Sequence, residues 1–217
     1  MGHTTSDGVH GAKSRPLENF VVRSPSFWTY CFPQAIAAFP EALRNVTLDV
    51  FHFSLNAVAP SLIRTDADEV TYNLHILLRF ELEKQLIGGS LSAADLPEAW
   101  NEHHQQLLGL TPLDDRSGCL QDIHWSGGSF GYFPSYSLGN IYAAQFFEQA
   151  EKDLGNLDTL FSEGNFTPLK EWLTRNIHSL GQRFRADQLV ERVTGSPLDY
   201  HPLVNHLHSK FSRLYHL

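Results

Sequence analysis

The strongest constraint on the fold of this chain is a long amphipathic stretch near its middle. Apolar residues recur there at spacings of three and four from about Ala67 to Ile87, and Gly88-Gly89 follows directly. This spacing places the apolar side chains on one face of a helix, and glycine readily adopts the left-handed conformation that ends one. The stripe consists of Val70, Leu74, Leu77, Leu78, Leu82 and Leu86. The stretch therefore predicts a helix that buries one face against its neighbours.

Similar patterns fill much of the remaining chain, whereas the alternation typical of strands is scarce. They predict further helices over residues 18–39, 47–59, 92–108, 138–154, 166–184, 187–193 and 202–217. A chain of 217 residues that is 42% apolar is long enough to bury one sizeable core. We therefore predict an all-α protein, with a loose lead-in over residues 1–15 and a single helical domain over residues 16–217.

Charge and cysteine content exclude several classes of protein. Lysine and arginine number 16 against 24 aspartates and glutamates, and this acidic balance argues against broad binding to nucleic acid or anionic membranes. Only two cysteines, Cys31 and Cys119, exclude a disulfide scaffold. The first residues lack the apolar segment of a signal peptide, and no stretch approaches the ~18 apolar residues of a membrane span. The expected protein is cytoplasmic, with neither nucleic acid nor membrane as a partner.

One familiar catalytic spacing occurs in the sequence, and others are absent. It contains no His-Glu-x-x-His and no Walker loop, which are the patterns of zinc peptidases and nucleotide-binding loops. The segment GGSFG, residues 127–131, has the Gly-x-Ser-x-Gly spacing of serine hydrolases, but its aromatic neighbours and the missing strand argue against a nucleophile elbow. Adjacent His103 and His104 would point about 100° apart on a helix and cannot share a metal from one face. We expect these two to be solvated, and His75 to be a surface or packing residue.

The first informative segment is Ile63 to Asp68, just before the long helix. Arg64 has the fork geometry that suits a free carboxylate, but an ion pair with Asp66, Asp68 or Glu69 would explain it equally well. Either Asp66 or Asp68 can cap the following helix.

The second informative segment runs from Gly118 to Tyr136 and contains QDIHWSGGSFGYFPSY. It is aromatic, rich in glycine and neither helix-periodic nor alternating. Loops of this kind often line sites, and tyrosine and histidine donors can stabilise an oxyanion. The alternative is an aromatic loop packed on the core with its hydroxyl groups satisfied.

Taken together, these segments resemble the thermostable (Taq-type) carboxypeptidase 1 family of zinc metallopeptidases. SLIRTDADEVTYNLHILLRFELEK carries the family's Ile-Arg-x-x-Ala-Asp motif, and GCLQDIHWSGGSFGYFPSYSLGNIYAAQ carries its Gly-x-x-Gln-Asp-x-His-Trp motif. The resemblance runs from about Gly8 to Leu217. It implies an all-α fold, specifically the C-terminal helical portion of a clamp-like zincin metallocarboxypeptidase that is commonly a homodimer.

The resemblance also shows where this chain departs from the family. The family's His-Glu-x-x-His helix lies upstream of this part and is absent here. The family's third zinc ligand is a glutamate in Gly-Ile-His-Glu-Ser-Gln-Ser-Arg, and this sequence has Gly11 at that position, between His10 and Ala12. Glycine has no side chain to bind a metal. The expectation is therefore a protein without a cofactor, although zinc is the metal of the family.

The resemblance assigns roles to the residues that remain. Arg64 falls where the family's arginine would hold the C-terminal carboxylate of the substrate. His124, Tyr132 and Tyr136 are the remnant catalytic candidates, in the region that would steady the tetrahedral intermediate. The supporting residues are Asp66, Asp68, Gln121, Asp122 and Trp125.

Three functions follow from this reading of the sequence. The first is a catalytically inactive carboxypeptidase relative that keeps a pocket for peptide C-termini or has a regulatory role. The second is a metallocarboxypeptidase subunit active only with a missing N-terminal chain, and the third is a nonfunctional, self-associating remnant. The expected partners are a second copy of the chain in a homodimer, peptide C-termini, or a full-length relative.

Overall fold

The structure, a computed structural model, describes residues 16–217, and every regular element within that range is helical. The α-helices are α1 (Pro25–Ala38), α2 (Pro40–Leu43), α3 (Leu48–Leu55), α4 (Tyr72–Gly88), α5 (Leu96–Leu108), α6 (Pro134–Leu154), α7 (Leu157–Ser162), α8 (Thr167–Asn176), α9 (Ala186–Thr194) and α10 (His201–Tyr215). A π-helix covers Pro16–Val22, and 3₁₀ turns cover Arg64–Asp66 and His178–Leu180. The predicted all-α class is confirmed over these residues.

The chain forms two compact units. One contains the described residues up to Asn56 together with Leu138–Leu217, and the other is Ala57–Ser137. The predicted single domain over residues 16–217 stays a prediction. The predicted lead-in over residues 1–15, including Gly11, lies outside the described residues.

The larger unit is built around the buried face of α6. Phe146 and Ala150 of this helix pack with apolar residues from α7, α8 and α9. A second, smaller cluster joins Ala143 and Ala144 to Leu203 of α10. The buried partners in the larger cluster are Val21, Tyr142, Leu157, Phe161, Leu169, Trp172, Leu173, Ile177, Leu189 and Val190.

Local signals explain where helices begin and end. The stretch predicted as one helix over 18–39 is divided, because Ser24 caps α1 by accepting a hydrogen bond from the Phe27 amide and Pro25 takes the first helical position. The helix predicted from Ala67 begins instead at Tyr72. It ends as expected, with Gly89 in the left-handed conformation as its cap.

The smaller unit is organised by α4 packing on α5. Leu78 and Leu82 of α4 and Trp100 of α5 are almost fully buried in one apolar cluster with Cys119. The same face of α4 also carries buried polar side chains, since positions 75, 79 and 83 recur at helical spacing beside these leucines. These polar residues are His75, Arg79 and Glu83.

This packing shows that the prediction of a solvated His104 is wrong, and it selects the packing alternative for His75. His104 is completely buried rather than solvated, because it faces α4 while its Nδ1 lies 2.8 Å from the Leu110 carbonyl oxygen. His75 is completely buried as well, and its ring centroid lies 5.7 Å from that of His104. Neither ring nitrogen of His75 has a hydrogen-bond partner among the described residues.

No helix among residues 16–217 is long and apolar enough to cross a membrane.

Burial of His75 predicts a loss of stability in mild acid. Desolvation, helped by the nearby charges of Arg79 and Arg64, lowers the pKa of His75 from 6.5 to about 3. A histidine with a lowered pKa in the folded state stabilises the fold above its ordinary pKa, and this stabilisation is lost as the pH falls toward the folded value. Between pH 7 and pH 5 the loss is about 2 kcal/mol.

Urea unfolding at a series of pH values, followed by tryptophan fluorescence, checks this expectation. His75→Leu cannot bind a proton, so its free energy of unfolding falls less steeply between pH 7 and pH 5 than that of the wild type. His208→Gln, at an exposed position, is the control and keeps the wild-type slope. Equal slopes for the wild type and His75→Leu would contradict the assignment.

Candidate functional site

Arg64 lies in the 3₁₀ turn that precedes α4 and is only 7% exposed. Its backbone amide donates to the side-chain oxygen of Gln121 at 2.9 Å, which ties this turn to the segment carrying the second motif. The amide group of Gln121 in turn donates to the carbonyl oxygens of Leu62 and Ser117. Gln121 therefore joins the two sequence motifs through its side chain.

Asp122 is shared between two arginines. Arg64 donates to its Oδ1 from Nη2 at 2.7 Å and from Nε at 3.1 Å, and Arg79 donates to its Oδ2 from Nε at 2.6 Å. Burial opposes ionisation of this carboxyl group, but the hydrogen bond from Arg64 and the charges of both arginines outweigh it and hold the pKa of Asp122 below its usual range. Asp122 is therefore an anion at neutral pH.

Arg79 projects from α4 and is completely buried. Besides Asp122, it donates to the Gln121 side-chain oxygen and to the His75 carbonyl oxygen, both at 2.8 Å. Its guanidinium carbon lies 4.7 Å from the ring centre of Trp100, within the range of a cation–π contact. Burial lowers the pKa of Arg79 to about 10, so it stays a cation at neutral pH.

The remaining donors of Arg64 face aromatic groups. Its Nη1 donates to the Tyr72 hydroxyl at 3.2 Å. Its guanidinium carbon lies 5.1 Å from the ring centre of Tyr136 and 5.7 Å from that of Phe133. Arginine has five N–H groups, and those on Arg64 with a partner among the described residues are Nε–H, one on Nη1 and one on Nη2. One N–H on each terminal nitrogen is left for another acceptor.

His124 and Tyr136 form a second pair of polar groups in this unit. The Nε2 atom of His124 lies 3.1 Å from the Tyr136 hydroxyl. Desolvation lowers the pKa of His124, so its imidazole is neutral at neutral pH, and burial raises the pKa of Tyr136. The ring of Tyr132 lies 5.4 Å from that of His124. The arrangement offers neutral hydrogen-bonding groups that could face a polarised carbonyl oxygen.

The structure thus brings together most of the side chains that the sequence singled out. Arg64, Gln121 and Asp122 form one hydrogen-bonded network, and His124 is 3.8 Å from Asp122 through Nδ1. Trp125 supports this region differently, because its indole N–H donates to Glu83 at 2.8 Å.

The two aspartates of the first motif do not join the network. Asp68 accepts hydrogen bonds from the Val70 and Thr71 amides at 2.8 Å each and so holds the turn before α4. Asp66 is exposed, and the hydrogen bond it receives comes from the neighbouring Thr65 hydroxyl. The prediction that Asp66 or Asp68 caps α4 is wrong, because α4 begins after Thr71 with no side-chain cap, and Asp68 instead holds the turn that leads into the helix. The ion pair of Arg64 is with Asp122, 58 residues away, rather than with Asp66, Asp68 or Glu69.

Sequence reasoning missed Arg79, Tyr72 and Glu83. A signal was available for Arg79, because it lies between Leu78 and Leu82 on the buried stripe of a helix. A charged residue in an apolar stripe must be paired inside the fold. The partner of Arg79 is Asp122, which lies 43 residues away in a loop. The spacing of apolar residues along a helix does not predict a contact at that separation.

The chain matches the family model described as "Carboxypeptidase Taq (M32) metallopeptidase" over residues 1–211. It is 52% identical over 214 residues to thermostable carboxypeptidase 1 of Thermus thermophilus, covering 99% of this chain and 42% of that protein. It is 42% identical over 210 residues to carboxypeptidase 1 of Bacillus subtilis, covering 97% and 42%. The crystal structure of the M32 carboxypeptidase from Deinococcus radiodurans R1 is similar with a TM-score of 0.95 and 41% identity, covering 100% of this chain and 44% of that one.

These comparisons confirm the resemblance to the family and the prediction that the chain has the fold of the C-terminal helical portion of its members. The chain spans about 42% of the length of the curated relatives it matches. It corresponds to the C-terminal part of those longer proteins.

The prediction that this protein has no cofactor is wrong. The family whose model covers residues 1–211 is a family of metallopeptidases, so a metal is the cofactor that the matched family implies. Within residues 16–217, no three histidine, cysteine, aspartate or glutamate side chains are grouped so that they could hold a metal ion. The described residues therefore do not form such a centre among themselves. The predicted loss of a ligand at Gly11 falls outside them.

The shared carboxylate predicts a large stability effect. Asp122→Asn leaves two buried guanidinium groups without an anion, and uncompensated buried charge costs about 3–5 kcal/mol. We expect the free energy of unfolding of the smaller unit to fall by that order in urea titrations. Asp66→Asn, which changes an exposed carboxylate of the same motif region, is the control and should change stability by less than about 0.5 kcal/mol. A loss for Asp122→Asn below about 1 kcal/mol would refute the shared ion pair.

Proposed function

This chain belongs to the carboxypeptidase Taq (M32) metallopeptidase family, and from that membership we propose that it carries the part of the family's site that holds the C-terminal carboxylate of a peptide. We further propose that it does not hydrolyse peptides by itself. The first proposal gives Arg64 the role of carboxylate ligand.

The observation that carries this proposal is the unfilled end of the Arg64 guanidinium. Asp122 occupies Nε and one hydrogen of Nη2, and Tyr72 occupies one hydrogen of Nη1. One hydrogen remains on each of the two terminal nitrogens, and a carboxylate that accepts both would be held by two hydrogen bonds. Because Asp122 fixes the other edge of the fork, Arg64 is held in place before a ligand arrives.

The neighbouring neutral groups fit the same role. His124 and Tyr136 are hydrogen-bonded to one another, and Tyr136 lies beside the Arg64 guanidinium. We assign these two residues, with Tyr132, to the peptide's terminal carboxylate and its neighbouring carbonyl oxygen. Gln121, Asp122 and Trp125 act as supports, since their polar atoms bond to Arg64, Arg79 and Glu83.

The proposal that the chain alone does not hydrolyse peptides has a chemical basis. Hydrolysis by a metallopeptidase needs a metal held by protein ligands with one position open for water or substrate. No group of metal-binding side chains exists within the described residues, and the sequence has no His-Glu-x-x-His. Carbonyl-stabilising donors without an activated nucleophile give little turnover.

A subunit that becomes active with a complementary chain is the second candidate. The close match of this chain to under half of each relative favours it, because the remainder of such a relative would supply the other half of the fold. Mixing this chain with the remaining part of the Thermus thermophilus relative, with zinc or cobalt, and measuring release of the C-terminal residue tests it. Turnover by the mixture and by neither part alone would support this second candidate, and a mixture without turnover would contradict it.

Homodimerisation remains a proposal of its own. Several large apolar side chains are strongly exposed, including Leu113, Ile123 and Leu120, and surface of this kind favours association when it is contiguous. Light scattering over a wide range of protein concentration tests it, and a constant monomer mass would contradict it.

Arg64 allows a direct test of carboxylate binding. We expect the intact chain to bind a labelled Ala-Ala-Phe peptide with a free C-terminus and to bind its C-terminal amide at least about tenfold more weakly. Arg64→Ala should weaken binding of the free acid by about tenfold or more and leave the amide unchanged, because only the carboxylate contacts the fork. Fluorescence anisotropy gives both affinities.

Arg116→Ala is the matched control, since Arg116 is an exposed arginine of the same unit. It should retain wild-type affinity for both peptides. If Arg64→Ala lowers the thermal stability but leaves the preference for the free acid intact, Arg64 is purely structural and the proposal fails.

A further inference from the structure

Arg79 is a buried cation with no access to a ligand. Its side chain is completely buried, and it donates hydrogen bonds to Asp122, to Gln121 and to the His75 carbonyl oxygen. It lies between the rings of Trp100 and Phe133, at 4.7 Å and 5.3 Å. Arg79 can therefore affect a ligand only through its charge or through the groups that it contacts, and not by binding the ligand.

The group best placed to transmit that influence is Asp122. Arg64 donates chiefly to Oδ1, at 2.7 Å and 3.1 Å, with a longer bond from Nε to Oδ2 at 3.4 Å, and Arg79 donates to Oδ2 at 2.6 Å. One carboxylate therefore faces two guanidinium groups, and the three side chains together carry one excess positive charge. A one-to-one pair of Arg64 and Asp122 would instead be neutral and would attract a further anion weakly.

Among the described residues, Asp122 is the one carboxylate that forms an ion pair with Arg64 or Arg79. The imidazoles of His75 and His124 are neutral at neutral pH, and the Tyr136 hydroxyl keeps its proton. Glu83, on the same helix as Arg79, accepts a hydrogen bond from Trp125 rather than from either arginine. Of the two arginines, only Arg64 keeps any exposure, 7% against 0% for Arg79, so a ligand can reach the remaining N–H groups of Arg64 alone. The excess charge is therefore available at Arg64.

We propose that Arg79 is a positioning residue that, by sharing Asp122, keeps Arg64 from being neutralised and so keeps the fork of Arg64 attractive to a carboxylate. This inference rests on the proposed role of Arg64 in binding a peptide C-terminus. It gives a residue on the buried face of α4 a role in ligand recognition, although that residue does not touch the ligand.

The test uses the intact chain and the same pair of labelled peptides, the free acid and the amide of Ala-Ala-Phe. Arg79→Met removes the charge at similar length, and we expect it to weaken binding of the free acid about tenfold while the amide is unaffected. Arg79→Lys keeps the charge against Asp122, and we expect its affinity to stay within about threefold of the wild type. Urea unfolding of each variant confirms that the binding data come from folded protein.

The double variant Arg79→Met with Asp122→Asn separates charge from structure. It removes one positive and one negative charge, so the excess positive charge at Arg64 returns. If Arg79 acts through charge, the double variant recovers most of the affinity that Arg79→Met loses. If Arg79 has only a packing role, the second substitution adds further damage and the double variant binds more weakly than Arg79→Met.

The outcomes distinguish this inference from the proposal on which it rests. A wild type that does not prefer the free acid, or an Arg64→Ala variant that keeps that preference, overturns both. A wild-type preference abolished by Arg64→Ala but unchanged in Arg79→Met overturns the role of Arg79 alone. If Arg79→Met does not fold, Arg79→Lys decides, because a loss of about tenfold with the charge retained contradicts charge sharing.

Discussion

The division of Asp122 between Arg64 and Arg79 is the interaction on which the smaller unit depends. It joins a 3₁₀ turn, the middle of α4 and an irregular loop at three N···O distances below 3.2 Å. A buried carboxylate costs free energy unless charged donors surround it, and buried arginines carry the same cost. Arg64, Arg79 and Asp122 therefore depend on one another for charge compensation. These ion pairs, together with packing, hold the loop against the helix.

This requirement explains why α4 has polar residues on its buried face. His75, Arg79 and Glu83 lie beside Leu78 and Leu82, in the positions where an ordinary core helix would carry apolar side chains. Such residues stabilise a fold less than well-packed leucines would. Their value lies in specificity, because a paired charge accepts one arrangement of its neighbours, and a binding site requires one arrangement.

The comparisons give this geometry its setting. A chain that spans about 42% of its relatives, with a TM-score of 0.95 to a solved M32 carboxypeptidase, shares the local fold of that part of the longer proteins. The described residues hold the arginine, histidine and tyrosines that the family resemblance assigns to the substrate, but no grouped metal ligands. Within the described residues, this chain carries the elements that we propose for recognition of the peptide C-terminus.

The sequence by itself determined the helical class, the end of α4 at Gly89 and the two motifs with their family. The helical class and the end of α4 depend on local residue spacing, and the family assignment depends on long matches to the family's motifs. Both can be read along a single sequence. The break before Pro25 was missed because the Ser24 side-chain oxygen caps α1, and apolar periodicity is insensitive to such a hydrogen bond. The start of α4 at Tyr72 was missed because a turn held by Asp68 precedes the helix. Only the tertiary structure decided that Arg64 pairs with Asp122, that Arg79 shares this carboxylate, and that His75 and His104 are buried together. These contacts join residues 29 to 58 positions apart, and burial and charge pairing at that separation are set by how the helices pack rather than by any local pattern.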